Sequence, residues 1–119
     1  MGDIELKPIH IEDVQKQVEG FFNKAVYIHL ETTNGAYAAH QNENFFSTGA
    51  YIRNGQVQIT RGKITGNGPY RAGLKIELGW IYAEGLTHWE VDEKGRLLLA
   101  GYDNDGKLGV ALQLSTKPF

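Results

Sequence analysis

The stretch Ala25-Val26-Tyr27-Ile28-His29-Leu30-Glu31 decides how this chain is read. Val26, Ile28 and Leu30 alternate with Tyr27, His29 and Glu31, the two-residue period of a strand that turns one face to a core. Downstream the period persists. Val57 and Ile59 alternate with Gln56, Gln58 and Thr60, and Val110, Leu112 and Leu114 repeat the pattern near the end. The longest ladder places Leu74, Ile76, Leu78, Trp80 and Tyr82 on one face, while Trp89 with Val91 and Leu97 with Leu99 supply two shorter runs. About seven strands are expected from these runs.

Upstream the period is that of a helix. Ile11, Val14, Val18, Phe21 and Phe22 recur at three- and four-residue intervals, with Glu12, Asp13, Gln15, Lys16, Gln17 and Glu19 opposite them. The helix is expected over about residues 10–23, limited behind by Pro8 and ahead by Asn23-Lys24, where an asparagine tolerates a left-handed stop. Between the strands, Asn34-Gly35, Asn54-Gly55 and Asp105-Gly106 accept positive φ at both centres of a type I′ turn, and Lys94-Gly95 is a fourth candidate. Loops this short make neighbours antiparallel, since parallel strands need crossovers of a dozen residues or more. Gly66-Asn67-Gly68-Pro69 divides the meander, and Ala38 to Ser47 reads as a polar loop.

The 15 glycines exceed what these turns use. Gly73, Gly79, Gly101 and Gly109 fall inside strand patterns, where a missing side chain lets a sheet bend or approach other backbone. The expected fold is therefore mainly β: a small antiparallel β-barrel or strongly curled sheet over about residues 25–116, with one N-terminal α-helix packed against it. At 119 residues it is read as a single domain, 1–119.

Charge and composition narrow the partners. Twelve Lys and Arg against fourteen Asp and Glu leave a net charge of −2, which denies the chain a broad positive field, so neither nucleic acid nor a membrane surface is expected. No apolar run reaches the roughly 18 to 20 residues of a membrane span, and Met1 to Lys7 is too charged for a signal peptide. With no cysteine there is no disulfide, thiol nucleophile or thiolate metal site, and a soluble cytoplasmic protein is expected.

Two constellations could carry chemistry. His29-Leu30-Glu31 and His88-Trp89-Glu90 each set a His and a Glu two residues apart, on one face of a strand. If the two strands were neighbours, His29, Glu31, His88 and Glu90 could converge on a divalent metal; otherwise both pairs are ordinary solvent-facing polar residues. Arg71, beside the flexible Gly66-Asn67-Gly68 backbone, could attract an anion, and Tyr70, Trp80 and Trp89 could stack on a planar ligand, against the simpler reading that aromatics fill the core. Other motifs fail on spacing. Asp103-Asn104-Asp105-Gly106 lacks the sixth-position glycine and twelfth-position glutamate of a calcium loop, with Leu108 and Leu114 standing there. Arg71 occupies the third glycine position of a dinucleotide fingerprint. Ser47-Thr48 and Ser115-Thr116 have no base at a local spacing, so no catalytic residue is assigned.

The order of residues also resembles a known family. Glu19-Gly20-Phe21-Phe22-Asn23, then Val26 through Tyr37, then Asn44-Phe45-Phe46-Ser47-Thr48-Gly49-Ala50-Tyr51-Ile52-Arg53-Asn54-Gly55 are similar to the YojF family of bacterial proteins of unknown function, over the whole chain. The resemblance implies a single-domain, largely β-barrel cytoplasmic protein and carries over no catalytic residues and no known cofactor. It also implies a neighbourhood: members are often encoded beside an LmbE-like deacetylase acting on N-acetylglucosaminyl-thiol precursors, as in bacillithiol synthesis. The expected function is a noncatalytic accessory or small-ligand or protein-binding module. The alternatives are a small metal-dependent hydrolase or isomerase using His29/Glu31 and His88/Glu90, and a structural homodimer joined at strand edges.

Overall fold

The computed structural model describes residues 6–32 and 49–119. Among these residues, nine strands and one helix run in the order β1 (Lys7–Pro8), α1 (Ile11–Glu19), β2 (Ala25–Thr32), β3 (Tyr51–Gln58), β4 (Arg61–Gly66), β5 (Tyr70–Ile76), β6 (Gly79–Leu86), β7 (His88–Val91), β8 (Leu97–Tyr102) and β9 (Leu108–Ser115). They form two antiparallel sheets, one of six strands in the order β1-β7-β8-β9-β2-β3 and one of three in the order β4-β5-β6. The expected barrel is therefore not closed; in place of one closed or curled sheet, the strands divide into two sheets packed over a shared core. Gly101 and Gly85 let them meet, because a Cβ on Gly101 would lie 2.1 Å from the Gly85 carbonyl oxygen.

The alternation read from the sequence sets the core. Val26, Ile28 and Leu30 of β2, Leu97 and Leu99 of β8, and Val110, Leu112 and Leu114 of β9 point inward from the larger sheet. Ile64, Ala72, Leu74, Ala83 and Leu86 point inward from the smaller one, and Val14, Val18 and Phe21 join them from the helix segment. One continuous apolar cluster results.

The helix is shorter than expected, ending at Glu19 rather than 23. Phe21 and Phe22 are past its end, and Asn23, at φ 61°, makes the anticipated left-handed turn while its N–H donates to the Ile59 carbonyl at 2.8 Å. Gln15 faces β4. Its Oε1 accepts from the Ile64 N–H and its Nε2 donates to the Gly62 carbonyl, both at 2.9 Å, so the helix satisfies backbone groups along the open edge of that strand. Pro8 lies in β1, opposite His88, an edge position that a residue without an N–H can occupy.

Three turn expectations change. Asn54-Gly55 is not a hairpin turn but lies inside β3, where Arg53 and Asn54 together face the single residue His29; Asn54 takes φ 55° in this bulge. The Leu74–Tyr82 ladder is broken at Glu77-Leu78, the two-residue turn between β5 and β6. Crossing the turn pairs Leu74 with Ile81 and Lys75 with Trp80, so Trp80 and Tyr82 emerge on the outer face instead of the core. Asp105-Gly106 does turn the chain, but only Gly106 has positive φ. Asp92-Glu93-Lys94-Gly95-Arg96 and Asp103-Asn104-Asp105-Gly106-Lys107 fold alike. Each Asp Oδ1 accepts the N–H groups two and four residues on at 2.9 Å, and each glycine N–H donates to the Asp carbonyl at 3.0 Å. The expected Asn34-Gly35 turn and Ala38–Ser47 loop fall outside the described residues.

Candidate functional site

The two His-x-Glu pairs do share a face, the outer face of the six-stranded sheet, but they do not meet. Register runs His88–Ala100–Ala111–Glu31 and Glu90–Leu98–Gln113–His29, so β8 and β9 lie between the pairs. Three strand spacings of about 4.8 Å put them about 14 Å apart, twice what ligands of one metal allow. Among the described residues, no group of three or more His, Cys, Asp or Glu is placed to hold a metal.

The local surroundings differ from a solvated polar face as well. His29 is buried at 6% exposure, beneath the rings of Tyr51 (centroids 5.5 Å apart) and Phe119 (6.1 Å). Its Nε2 is 3.7 Å from Glu31 Oε2, and its Nδ1 has no hydrogen-bond partner among the described residues. Phe119 is held by the bulge, its N–H donating to Asn54 Oδ1 at 2.7 Å, with the Arg53 and Arg96 guanidinium groups at 5.7 and 5.6 Å from its ring. His88 Nδ1 is 2.7 Å from Thr87 Oγ1, and the ring meets Tyr102 edge-on. Glu90 accepts from the Val91 N–H at 2.8 Å and from Lys7 Nζ at 3.1 Å, which together hold its carboxyl below the usual range. Between the pairs lies a shallow apolar depression of about 190 Å³, lined by Leu98, Ala100, Tyr102, Leu108 and Ala111 among others.

The ligand-binding candidates divide between the sheets. Trp89 is buried in the core of the larger sheet, with Lys7 Nζ 4.4 Å from its ring centre. Tyr70, Arg71 and Trp80 belong to the smaller sheet, whose register arranges its outer face in rows: Arg61–Lys75–Trp80, Lys63–Gly73–Tyr82 and Thr65–Arg71–Glu84. Tyr70 pairs with Leu86 and is half-buried, away from these rows. Trp80 and Tyr82 remain 44% and 50% exposed, their rings 11° from parallel with centroids 5.9 Å apart. Tyr82 leans across Gly73, where a Cβ would lie 2.9 Å from its Cε1; the glycine makes room for the ring. Arg61 and Lys75 flank Trp80 at 5.4 and 5.7 Å, and Arg71 lies 5.0 Å from the Tyr82 ring centre. Arg71 is paired with Glu84 at 2.7 Å.

The sequence singles out Arg71 and Trp80, and offers Tyr82 only as one strand aromatic among many, but does not point to Arg61, Lys63 or Lys75. The signal was present in Arg61-Gly62-Lys63 and Trp80-Ile81-Tyr82, two strand segments that each put like residues on one face. It was obscured by treating Leu74 to Tyr82 as one strand.

Two antiparallel sheets over a common core, with one helix along an edge strand, define a small two-sheet β protein. Its family is shown by comparison: the chain belongs to the family described as Protein of unknown function (DUF1806), whose model matches residues 8–119. It is 57% identical over 114 residues to the Uncharacterized protein YojF of Bacillus subtilis (strain 168), across 96% of this chain and 98% of that relative. The crystal structure of the Bacillus subtilis YojF protein is similar to it with a TM-score of 0.82 at 52% identity, covering 98% of each chain. Among the described residues, no helix is long and apolar enough to cross a membrane.

Proposed function

We propose that this protein is a noncatalytic binding module, acting in the cytoplasm as an accessory to another protein's chemistry, with the outer face of β4–β6 as its binding surface. The observation that carries this reading is the exposure of Trp80 and Tyr82, nearly parallel and bordered by Arg61, Arg71 and Lys75. Fully burying a large side chain stabilises a fold by about 1.5 to 3 kcal/mol, and aromatic rings left outside in a group are a feature of interaction sites. The ring faces and the cations together suit a ligand that has both a ring and a negative charge.

Acidic N-acetylglucosaminyl-thiol precursors belong to that chemical class, a sugar ring lying on aromatic faces and its acid groups reaching the cations. That fit supports an accessory role beside an LmbE-like deacetylase. The test is a titration of the pure protein with ring-bearing anions, an N-acetylglucosaminyl carboxylic acid among them, followed by tryptophan emission. A saturable change that disappears in Trp80→Phe is expected; no change with any member of the series counts against the reading. A pull-down from cytoplasmic extract, competed with the same compounds, tests the deacetylase as partner.

A further inference from the structure

The rows on the β4–β6 face specify more than a ring-bearing anion. We propose that this face binds a short stretch of single-stranded nucleic acid, two bases lying on Trp80 and Tyr82 and the phosphates between them reaching Arg61, Lys63 and Lys75. This rests on the reading of that face as a binding surface and names its ligand.

Three observations favour this occupant. First, the two rings stand half-exposed and nearly parallel, centroids 5.9 Å apart and planes 11° from parallel, on successive outward positions of one strand. Base stacking on such rings tolerates any sequence, because every base has a π face. Second, the charge on the face is one-sided. Arg61, Lys63 and Lys75 have no carboxylate partner among the described residues, and the single acid of the rows, Glu84, is occupied by Arg71. The net charge of −2 does not contradict this, because most exposed acids lie elsewhere, Glu12, Asp13 and Glu19 on the helix and Glu93, Asp103 and Asp105 in the two Asp-led turns; Glu77, in the β5–β6 turn, is the one exposed acid at the end of the rows. What the net charge does remove is long-range attraction, so binding is weak and seen best at low salt. Third, the size fits. Three strands about 4.8 Å apart and three rows two residues apart give a floor of roughly 10 by 13 Å, enough for about two nucleotides and too flat to enclose a duplex. An acidic polypeptide would meet the same cations, but it would make no specific use of two half-exposed aromatic rings held parallel beside them.

The experiment uses the full chain and fluorescein-labelled ten-nucleotide oligothymidine, oligouridine and a ten-base-pair duplex, followed by anisotropy at about 50 mM salt. Both single strands are expected to bind at least tenfold more tightly than the duplex, and the difference between them tells whether DNA or RNA is preferred. Trp80→Ala and Tyr82→Ala are each expected to weaken binding at least fivefold, consistent with stacking on both rings. Three cations at a slope of about −0.7 each give a fall of roughly two powers of ten in affinity per tenfold rise in salt. Leu78→Ser, at the adjacent hairpin tip, is expected to leave binding unchanged, and unaltered denaturation midpoints show that all three variants are folded.

Equal binding of duplex and single strand, indifference to both ring truncations, or no anisotropy change up to about millimolar protein overturns the proposal. So does polyglutamate displacing the single strands while binding the ring variants as well as wild type, which identifies an acidic polypeptide surface instead. The two readings of this face fail separately. If oligonucleotides do not bind but small ring-bearing anions still perturb Trp80, only the nucleic-acid proposal is lost; if neither does, the binding surface itself is lost.

Discussion

Asp92 shows how a single carboxylate can both shape a turn and set a pH response. Burial pushes its carboxyl up, but the Arg96 N–H, the Arg96 guanidinium and the Lys94 N–H all bond to it, and the net effect holds it below the usual range. A carboxyl depressed on folding contributes stability that is complete above its unfolded pKa of about 3.9 and is lost as pH falls through the folded value. Asp92→Asn should therefore destabilise by about 2 kcal/mol near neutrality, with the gap to wild type closing below about pH 4, as urea denaturation across pH would show. His29 makes the opposite case. Its buried Nδ1 lacks a partner among the described residues, so His29→Leu should match or exceed wild-type stability by about 1 kcal/mol; a clear loss would mean that the imidazole has work in the fold. No local pattern distinguishes this histidine from a surface one. Its burial comes from Tyr51 and from Phe119, 90 residues further on, whose approach two-residue periodicity does not encode.

Elements were legible where period and turn chemistry agreed. The switch from helical to strand period at Ala25 falls where β2 begins, and both Asp-led loops turn near their glycines. The failures have one physical origin: a dipeptide that accepts positive φ can also sit in a bulge, as Asn54 does, while a two-residue turn needs no such residue, as Glu77-Leu78 shows. Two glycines now separate conformational from steric need. Gly101→Ala drives a Cβ into the Gly85 carbonyl and should cost more than about 2 kcal/mol, whereas Gly79→Ala meets nothing within 4 Å and should stay within about 0.5 kcal/mol of wild type. Thermal or urea unfolding of the pair decides this; equal effects would mean that the sheets do not close at Gly101. At the edge of β4, Gln15→Ala should cost about 1 kcal/mol by removing both bonds to the strand backbone, read by the same unfolding curves.

At the scale of the molecule, the mainly β class and the helix ahead of the strands followed from the sequence, but the division into two sheets did not. That division depends on where the chain changes sheets: Thr87 alone separates β6 from β7, and Ile59-Thr60 separates β3 from β4, both without a glycine or proline to mark them. The same corners keep the His-x-Glu pairs on one sheet and the ring-and-cation rows on the other, so the site follows from topology as much as from residue type. Cross-strand order turned four dispersed cations and two aromatics into one face. The central claim, that this face is where the protein binds, is tested most directly by mapping backbone amide shifts in the intact protein on addition of unlabelled oligothymidine. Shifts are expected to concentrate at Arg61–Ile64, Arg71–Lys75 and Trp80–Glu84 and to grow together to saturation. Shifts centred on His29, Glu31, His88 and Glu90, with the β4–β6 rows silent, would contradict it.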